Sequence, residues 1–303
     1  MEMKSITHSS KECFLECPYR YFLEYIRLLT PSAAAAPYLT WGQLVHAALG
    51  WMSERETMDT EGAVEALREY FEEHPEGVQI DLVDAMLYSL DKVLKGWQLK
   101  WAEKDKDLET VMSEVPFEMP LPSGYVFKGK IDRIVKDKKT GKLLLWEWKT
   151  PSRVIWQNYL LGGQGLGYVL GAREALGFDV DTIQYDFLLK PANKRQYETE
   201  VDYWERIGES VLLSYDKYFF RPDPLTYREE EIRRYKVELD DITQMIEFCR
   251  REGIFPKHHA ANRFGKCAFE RVCLYGDENG YFVRENFHPE LESIHVKPGT
   301  DED

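Results

Sequence analysis

The sequence contains no long apolar run and no excess of positive charge. None of its 303 residues belongs to an apolar stretch of about 20 residues, the length that spans a bilayer. The N-terminus also lacks the pattern of a signal peptide, so we expect a cytoplasmic protein. Lysine and arginine total 39 against 53 aspartate and glutamate residues, a net charge of −14 at pH 7. This balance argues against nonspecific binding of nucleic acid by the whole surface, so such a ligand requires a local basic lining or bound cations.

Cysteine is scarce as well, with five residues in the chain. A disulfide is disfavoured in a reducing cytosol, and a buried free thiol is an ordinary state of cysteine. Cys13 and Cys17, four residues apart, fall on one face of a helix predicted over residues 9–29. A capping-box pattern that starts at Ser9 opens this helix, and Pro18 predicts a break within it.

Apolar residues are plentiful, and they surround one unusual strand. Hydrophobic residues make up 44% of the chain and aromatic residues 14%, enough for a packed core. Residues 143–146 have the pattern of a short apolar strand that runs directly into Glu147, Trp148 and Lys149. Because side chains alternate along a strand, Glu147 and Lys149 point to the same side. A carboxylate and an ammonium group at the end of a buried strand are costly to desolvate unless they have partners or a function.

The preceding segment supplies a partner for these two side chains. Residues 125–135 alternate as a strand, and the polar turn that follows, with Gly141 available for a positive backbone angle, predicts a β-hairpin. Pairing of the two strands brings Asp132 beside Glu147 and Lys149. The opposite face of the first strand would carry Phe127, Ile131, Arg133 and Val135.

Two acids and a lysine at one edge of a sheet suit a particular chemistry. Oxygen ligands with room for water and phosphate favour Mg²⁺ or Mn²⁺. Such an ion would activate water and polarise a phosphodiester, and Lys149 would orient the water and offset negative charge in the transition state. The alternative is a surface ion pair on a hairpin, which is the commoner fate of so short a pattern taken alone.

The order of several short motifs resembles the PD-(D/E)xK nucleases, specifically their RecB-like branch. Between Gly42 and Tyr168 the chain carries, in the order of that family, Gly42-Gln-Leu-Val-His46, Glu114, Gly129-Lys-Ile-Asp132-Arg, Glu147-Trp-Lys149 and Gln164-Gly-Leu-Gly-Tyr168. The resemblance implies an αβββαβ restriction-endonuclease-like core, a mixed sheet flanked by helices. It assigns metal binding to Asp132 and Glu147 with help from His46 and Glu114, catalysis to Lys149, and contacts to DNA to Gln164 and Tyr168. An imidazole packed under a helix is the alternative for His46, an exposed strand residue for Glu114, and an ordinary hydrogen-bonded pair for Gln164 and Tyr168.

The resemblance extends to the cysteines near the two ends of the chain. RecB-like nucleases with an iron–sulfur cluster close on Cys-x5-Cys, which Cys267 and Cys273 match, and take one cysteine from far upstream, which Cys17 matches. The family places a further cysteine between residues 250 and 266 that this chain lacks. Cys13 is the predicted fourth ligand, and the weaker substitutes are Cys249, His258 and His259. A [4Fe–4S] centre is therefore expected, with zinc or buried free thiols as alternatives.

The rest of the chain fits one nuclease domain over residues 1–303. Helical spacing predicts an insert at 50–110, followed by a catalytic core at 111–190 that begins with a strand at 111–120 and ends with a helix at 156–176 and a strand at 182–190. In the C-terminal third we predict a helix at 203–219, a strand at 229–239 and a helix at 240–251. The cysteine segment at 250–275 would return to the N-terminal helix, and residues 297–303 would form a disordered tail.

These observations together predict a metal-dependent deoxyribonuclease with DNA as its partner, as single strands or duplex ends. By resemblance it is an exonuclease of recombination, repair or end processing, with a helicase or recombination protein as a further partner. Stand-alone relatives are frequent in phages, so a phage-encoded protein acting in the host cytoplasm is one interpretation. The competing interpretation is a catalytically inactive nucleic-acid-binding or assembly module on the same fold. The intact Asp132, Glu147 and Lys149 favour the enzyme, since a scaffold needs none of them.

Overall fold

The computed structural model describes residues 4–32, 41–75, 80–190, 193–258, 267–292, 294 and 296. His259 and the tail predicted at 297–303 lie outside these residues. The described helices are α1 (His8–Glu16), α2 (Pro18–Tyr21), α3 (Trp41–Glu54), α4 (Thr60–Glu73), α5 (Ile80–Asp105), α6 (Trp156–Leu161), α7 (Gln164–Glu174), α8 (Glu200–Leu213), α9 (Tyr215–Tyr218), α10 (Glu229–Glu252) and α11 (Glu270–Tyr275). The described strands are β1 (Ser5–Ile6), β2 (Leu29–Pro31), β3 (Leu108–Pro120), β4 (Val126–Asp137), β5 (Leu143–Lys149), β6 (Thr182–Leu188), β7 (Phe219–Phe220), β8 (Leu225–Thr226) and β9 (Tyr281–Val283).

A mixed sheet of seven strands forms the centre of the described part of the chain. Strand β4 pairs antiparallel with β3 and β5 and parallel with β1. Strand β5 then pairs in parallel with β6, which α6 and α7 connect to it. The predicted hairpin between β4 and β5 is confirmed, and Gly141 in its turn has a φ of 73°. The expected α/β fold, a mixed sheet flanked by helices, is therefore confirmed.

The sheet separates two hydrophobic clusters. We call the cluster built mainly from α3, α4, α5 and α8 the α5 core, and the cluster built mainly from α1, α7 and α10 the α7 core. Strand β5 contributes to both, because Trp146 and Trp148 belong to the α5 core and Leu145 belongs to the α7 core. Burial on both faces is what places the end of β5, with Glu147 and Lys149, inside the protein.

The N-terminal segment is less regular than the predicted single helix. Helix α1 begins after Thr7, whose side chain accepts a hydrogen bond from the Ser10 N–H, so the capping box lies two residues before the predicted one at Ser9. The predicted break is confirmed: Cys17 is extended, with a φ of −159°, and α2 starts at Pro18. A single π-helical turn follows, and the chain then enters β2 instead of continuing as a helix.

Three further predictions of secondary structure were wrong. The predicted helix at 156–176 is broken into α6 and α7. Gly163 lies between them with a φ of 74°, which is not helical. The predicted helix at 203–219 begins earlier, after the Thr199 cap, and breaks at Ser214. The predicted strand at 229–239 is the first half of the long helix α10. The residues that helix α10 buries recur every three or four positions, as on one helical face: Ile232, Tyr235, Leu239, Ile242 and Ile246.

Candidate active site

The site forms where strands β4 and β5 part. Their paired residues run from Arg133 opposite Trp146 to Lys136 opposite Leu143. One residue beyond this ladder, the Asp132 side chain lies between the strands, and its Oδ2 accepts a hydrogen bond of 2.8 Å from the Trp148 backbone N–H. The Asp132 carboxylate thus accepts the hydrogen bond of the buried Trp148 N–H at a position where the backbone of β4 no longer pairs with β5.

The alternation of side chains along β4 slips at this point. Phe127 and Ile131 belong to the α7 core, as does Ile134, whereas Val135 belongs to the α5 core. The predicted common face of Phe127, Ile131 and Val135 is therefore wrong. The slip falls where the Asp132 carboxylate enters the space between the strands, which a strictly alternating strand would not allow.

Three of the four predicted metal ligands converge here. The Nδ1 atom of His46 on α3 lies 3.3 Å from Oδ1 of Asp132. With Glu114 on β3, these residues each offer a ligand atom within 4.8 Å of the others, so the group could hold a metal ion. Glu114 has a φ of 50° just past a register shift in β3, and Gly50 on α3 lets its side chain approach closely, since a Cβ there would lie 3.2 Å from the Glu114 Cγ.

Glu147, the fourth predicted ligand, is adjacent to this group and not part of it. Its Oε1 accepts a hydrogen bond of 2.5 Å from the Lys149 Nζ, and its Oε2 is buried with no hydrogen-bond partner among the described residues. The Oε1 of Glu114 is buried and unpartnered in the same way. Buried carboxylate oxygens without donors are costly, and a divalent cation is the ligand that would satisfy them.

The ionisation of the site reflects this excess of acid. Burial and then the charge of Asp132 raise the pKa of Glu147 to about 8. Burial acts on Asp132 in the same direction, but the charges of His46 and Lys149 and the Trp148 N–H hold its pKa below the usual value. Burial and Asp132 also raise the pKa of Glu114. The cluster therefore holds protons that a bound cation would displace.

Gln164 and Tyr168 lie on the wall of the same pocket. The Gln164 Nε2 donates a hydrogen bond of 3.0 Å to the Tyr168 hydroxyl, one turn further along α7. The pocket has a volume of about 320 Å³, and its walls come from six separate parts of the chain. Its lining residues include Thr7, His8, Gly42, Gln43, His46, Lys128, Lys130, Asp132, Glu147, Lys149, Gln164, Tyr168, Glu290, Leu291 and Glu292.

Comparison with known families agrees with this geometry. A family model described as the PD-(D/E)XK nuclease superfamily matches residues 5–274, most of the chain. The chain belongs to the PD-(D/E)XK nuclease superfamily. Membership indicates a metal-dependent nuclease that acts on DNA. No curated protein matches the chain.

Two residues of the nuclease site were missed in the sequence. Lys130 forms an ion pair with Glu114, and its position two residues before Asp132 on the same strand was the available signal. His8, at the start of α1, lines the pocket, and burial followed by the charges of Lys11 and Lys149 lowers its pKa to about 3, so the imidazole is neutral. No local pattern indicates His8, because only the packing of α1 brings it to the pocket.

The predicted cysteine ligands of the nuclease are divided between two environments. Burial, with smaller effects from Cys17 and Cys273, raises the pKa of Cys267, so each of these two cysteines lies near Cys267. Cys17 also accepts a hydrogen bond of 3.4 Å from the His258 N–H. Cys13 instead packs in the α7 core and donates to Glu24 at 3.7 Å. Within the described ranges no three cysteine sulfurs lie within 4.8 Å of one another.

No described helix is long and apolar enough to cross a membrane.

Proposed function

We propose that this chain is a divalent-metal-dependent DNA exonuclease whose catalytic residues are Asp132, Glu147 and Lys149. The observation that carries the proposal is the gathering of carboxylates with unpartnered buried oxygens beside a lysine, at the point where two strands part. A structural ion pair does not require acids in excess of cations. Superfamily membership supports the nuclease activity, and the RecB-like order of motifs supports an exonuclease in recombination, repair or end processing.

In this proposal each residue has a separate task. His46, Glu114 and Asp132 would hold Mg²⁺ or Mn²⁺, with Glu147 completing the set; the residues fit a divalent cation because they offer mostly carboxylate oxygens. The bound ion would supply Lewis acidity to the phosphodiester. Lys149, held by Glu147, would orient the attacking water and donate to the negative phosphoryl oxygens.

Gln164 and Tyr168 line the same pocket as the acids and would position the DNA backbone there. The Gln164 amide nitrogen donates to the Tyr168 hydroxyl, so the amide oxygen is not used in this hydrogen bond and keeps its capacity to accept one. By the RecB-like resemblance, the proposal includes a helicase or recombination protein as a further partner.

An iron–sulfur centre remains part of the proposal for the C-terminal segment. Cys17, Cys267 and Cys273 fit three ligand positions, whereas Cys13 would have to leave Glu24 to become the fourth. The ultraviolet-visible spectrum of anaerobically purified protein tests this idea, because an iron–sulfur cluster absorbs in the visible range and zinc does not. A colourless protein without iron would leave zinc or free thiols as the state of these cysteines.

Incubation with linear duplex, circular duplex and single-stranded DNA, with Mn²⁺ or with a chelator, tests the main proposal. We expect Mn²⁺-dependent degradation of the linear and single-stranded DNA and sparing of the circle. Asp132→Asn should abolish cleavage and weaken Mn²⁺ binding measured by calorimetry, while Asp241→Asn, an exposed carboxylate on α10, serves as the matched control. DNA binding without cleavage by the wild-type protein in Mn²⁺ would instead favour the inactive binding module.

A further inference from the structure

A C-terminal segment, which we call the strap, forms part of the wall of the catalytic pocket. The strap comprises the described residues 288–292, 294 and 296. On one side His288 is buried and its Nε2 lies 2.8 Å from the Ser5 hydroxyl on β1. On the other side Ile294 and Val296 pack against the α5 core. The described residues of the strap therefore contact both β1 and the α5 core.

The middle of the strap forms part of the pocket wall. Glu290 accepts a hydrogen bond of 2.5 Å from the Thr7 hydroxyl, at the N-terminus of α1. Leu291 and Glu292 line the catalytic pocket, and both also line a second, larger cavity. Lys128 on β4 is shared by the two cavities in the same way. The catalytic pocket and the second cavity are therefore neighbours that share part of their walls.

The second cavity, which we call the strap groove, is large and carries concentrated positive charge. Its volume is about 1240 Å³. Its cationic side chains are Lys4, Lys128, Arg250 and Arg251, against the two acids Glu247 and Glu292. Because the whole chain has a net charge of −14, this lining is the local basic surface that an acidic nuclease needs. Lys4, Lys128 and Arg251 each form an ion pair, with Glu247, Glu118 and Glu252 respectively. Among the described residues, Arg250 in the last turn of α10 is therefore the cation of this lining that has no acidic partner.

Aromatic side chains accompany these arginines. Phe248 is 56% exposed, and the Arg251 guanidinium lies 5.3 Å from the centre of its ring. Phe287 lines the same groove just before the strap, with its ring 4.7 Å from the His288 ring. Arginines in the last turn of a helix also favour the helix dipole, so charge alone does not identify a ligand. An exposed ring such as Phe248, beside cations, is the combination on which the bases of a single strand stack while the backbone is neutralised.

We propose that the strap groove binds several nucleotides of a single-stranded DNA segment next to the scissile phosphate. The inference rests on the proposed nuclease function and names its substrate: one strand that passes the strap between groove and catalytic pocket. The catalytic pocket, about 320 Å³ with the strap in its wall, falls near the lower end of the roughly 300–1,000 Å³ of pockets that hold one drug-sized molecule. We therefore expect it to admit one strand more readily than a paired duplex.

The test compares two double variants on the same helix. Phe248→Ala with Arg251→Glu alters the groove, and Val237→Ala with Arg234→Glu makes the same kinds of change at the same spacing on an exposed part of α10 outside the groove. Binding of a labelled single strand of about 12 nucleotides is measured by fluorescence anisotropy in Ca²⁺, with the strand checked for cleavage. We expect the groove variant to bind about tenfold more weakly and the control to bind like wild type.

Several outcomes would overturn the proposal. Equal affinity for a blunt duplex of the same length would exclude a single-strand site, and wild-type affinity of the single variant Phe248→Ala would exclude base stacking. In Mn²⁺, the groove variant should lose more kcat/KM on the 12-nucleotide strand than on bis(p-nitrophenyl) phosphate, which is too small to reach the groove. Equal losses on both substrates would also overturn it. If the wild type hydrolyses neither substrate, the nuclease proposal fails, and the anisotropy measurement still decides the groove.

Discussion

Two clusters of buried charge lie on either side of strand β5, and they are balanced differently. In the first, Arg221 donates to both oxygens of Asp105, at 2.6 and 3.0 Å, and to Asp186 at 2.7 Å. Its guanidinium lies 4.0 Å from the ring of Trp101 and 4.5 Å from the ring of Trp146. The second cluster is the catalytic one.

The first cluster balances its charge with its own side chains. Arg133 adds a second cation beside Asp105, so two acids face two arginines. In the catalytic cluster three acids face only two permanent cations, Lys130 and Lys149, so the balance depends on a proton carried by His46 or Glu147. Both clusters contain buried polar atoms without hydrogen-bond partners among the described residues, in the first case Asp186 Oδ1 and Arg221 Nε. They differ in charge: the first is balanced by its own side chains, whereas the catalytic cluster is balanced only when a proton or a cation binds.

The largest expected effect breaks the balanced cluster. Arg221→Met leaves Asp105 and Asp186 buried without their cation, so we expect the free energy of unfolding to fall by about 3–5 kcal/mol. Urea denaturation measures the change. The triple variant with Asp105→Asn and Asp186→Asn should recover part of the loss, because it removes the stranded charges. A loss below about 1 kcal/mol for Arg221→Met would show that the two clusters do not differ in this way.

The next effect concerns the catalytic lysine. Lys149→Ala should reduce DNA cleavage by about 10²–10³-fold or more, because it removes a donor aimed at the charge of the transition state. Folding and DNA binding should be largely retained, as measured by circular dichroism and anisotropy, since Glu147 can take up a proton when its partner is lost. Lys142→Ala, in the exposed turn of the same hairpin, is the control. Unchanged cleavage would remove Lys149 from the mechanism.

A pH dependence separates the clusters further. Folding raises the pKa of Glu147 from about 4.5 to about 8, so the metal-free folded state binds more protons than the unfolded state between these values. The contribution of Glu147 to stability is therefore present below about pH 4.5 and is lost as the pH rises through about 8. Asp132 acts in the opposite window: its lowered pKa contributes stability that is lost only as the pH falls below the ordinary range of aspartate.

Metal binding should follow the same proton. Because Mn²⁺ competes with the proton on Glu147, the rise in Tm that Mn²⁺ causes should be larger at about pH 8.5 than at about pH 6. Glu147→Gln should remove most of this difference, and Arg221→Met should leave it in place while lowering Tm at both pH values. Differential scanning fluorimetry measures all three proteins. A rise in Tm that does not depend on pH would contradict a proton-holding catalytic cluster.

The smallest expected effect concerns the wall of the pocket. Tyr168→Phe removes one hydrogen bond to Gln164, worth about 0.5–1.5 kcal/mol net, so cleavage should slow by about two- to tenfold. Tyr275→Phe, whose ring is exposed on α11, should cleave DNA at the wild-type rate. Steady-state kinetics on a single-stranded substrate provides the comparison. A loss of activity as large as that of Lys149→Ala would show that Tyr168 takes part in catalysis and does not only position the substrate.

Some predictions failed where two local patterns were equally compatible with the residues. Residues 229–239 combine charged residues with widely spaced apolar ones, and only the burial of Ile232, Tyr235 and Leu239 against the α7 core shows the helical spacing. The slip at Asp132 and the φ of 50° at Glu114 have no local signature either. They arise because the strand must admit a side chain between itself and its neighbour, which is a property of the assembled sheet.

The sequence by itself determined the hairpin, the positions of Asp132, Glu147 and Lys149 within it and the helix that carries His46, because alternation and turn chemistry are properties of neighbouring residues. The resemblance predicted Glu114 beside these acids, but only the tertiary structure decided the backbone that brings it there and the packing that adds His8 to the pocket. It also decided that Cys13 bonds Glu24, and that the strap forms part of the pocket wall. Such contacts depend on how burial orders segments far apart in the chain, and no short pattern encodes that.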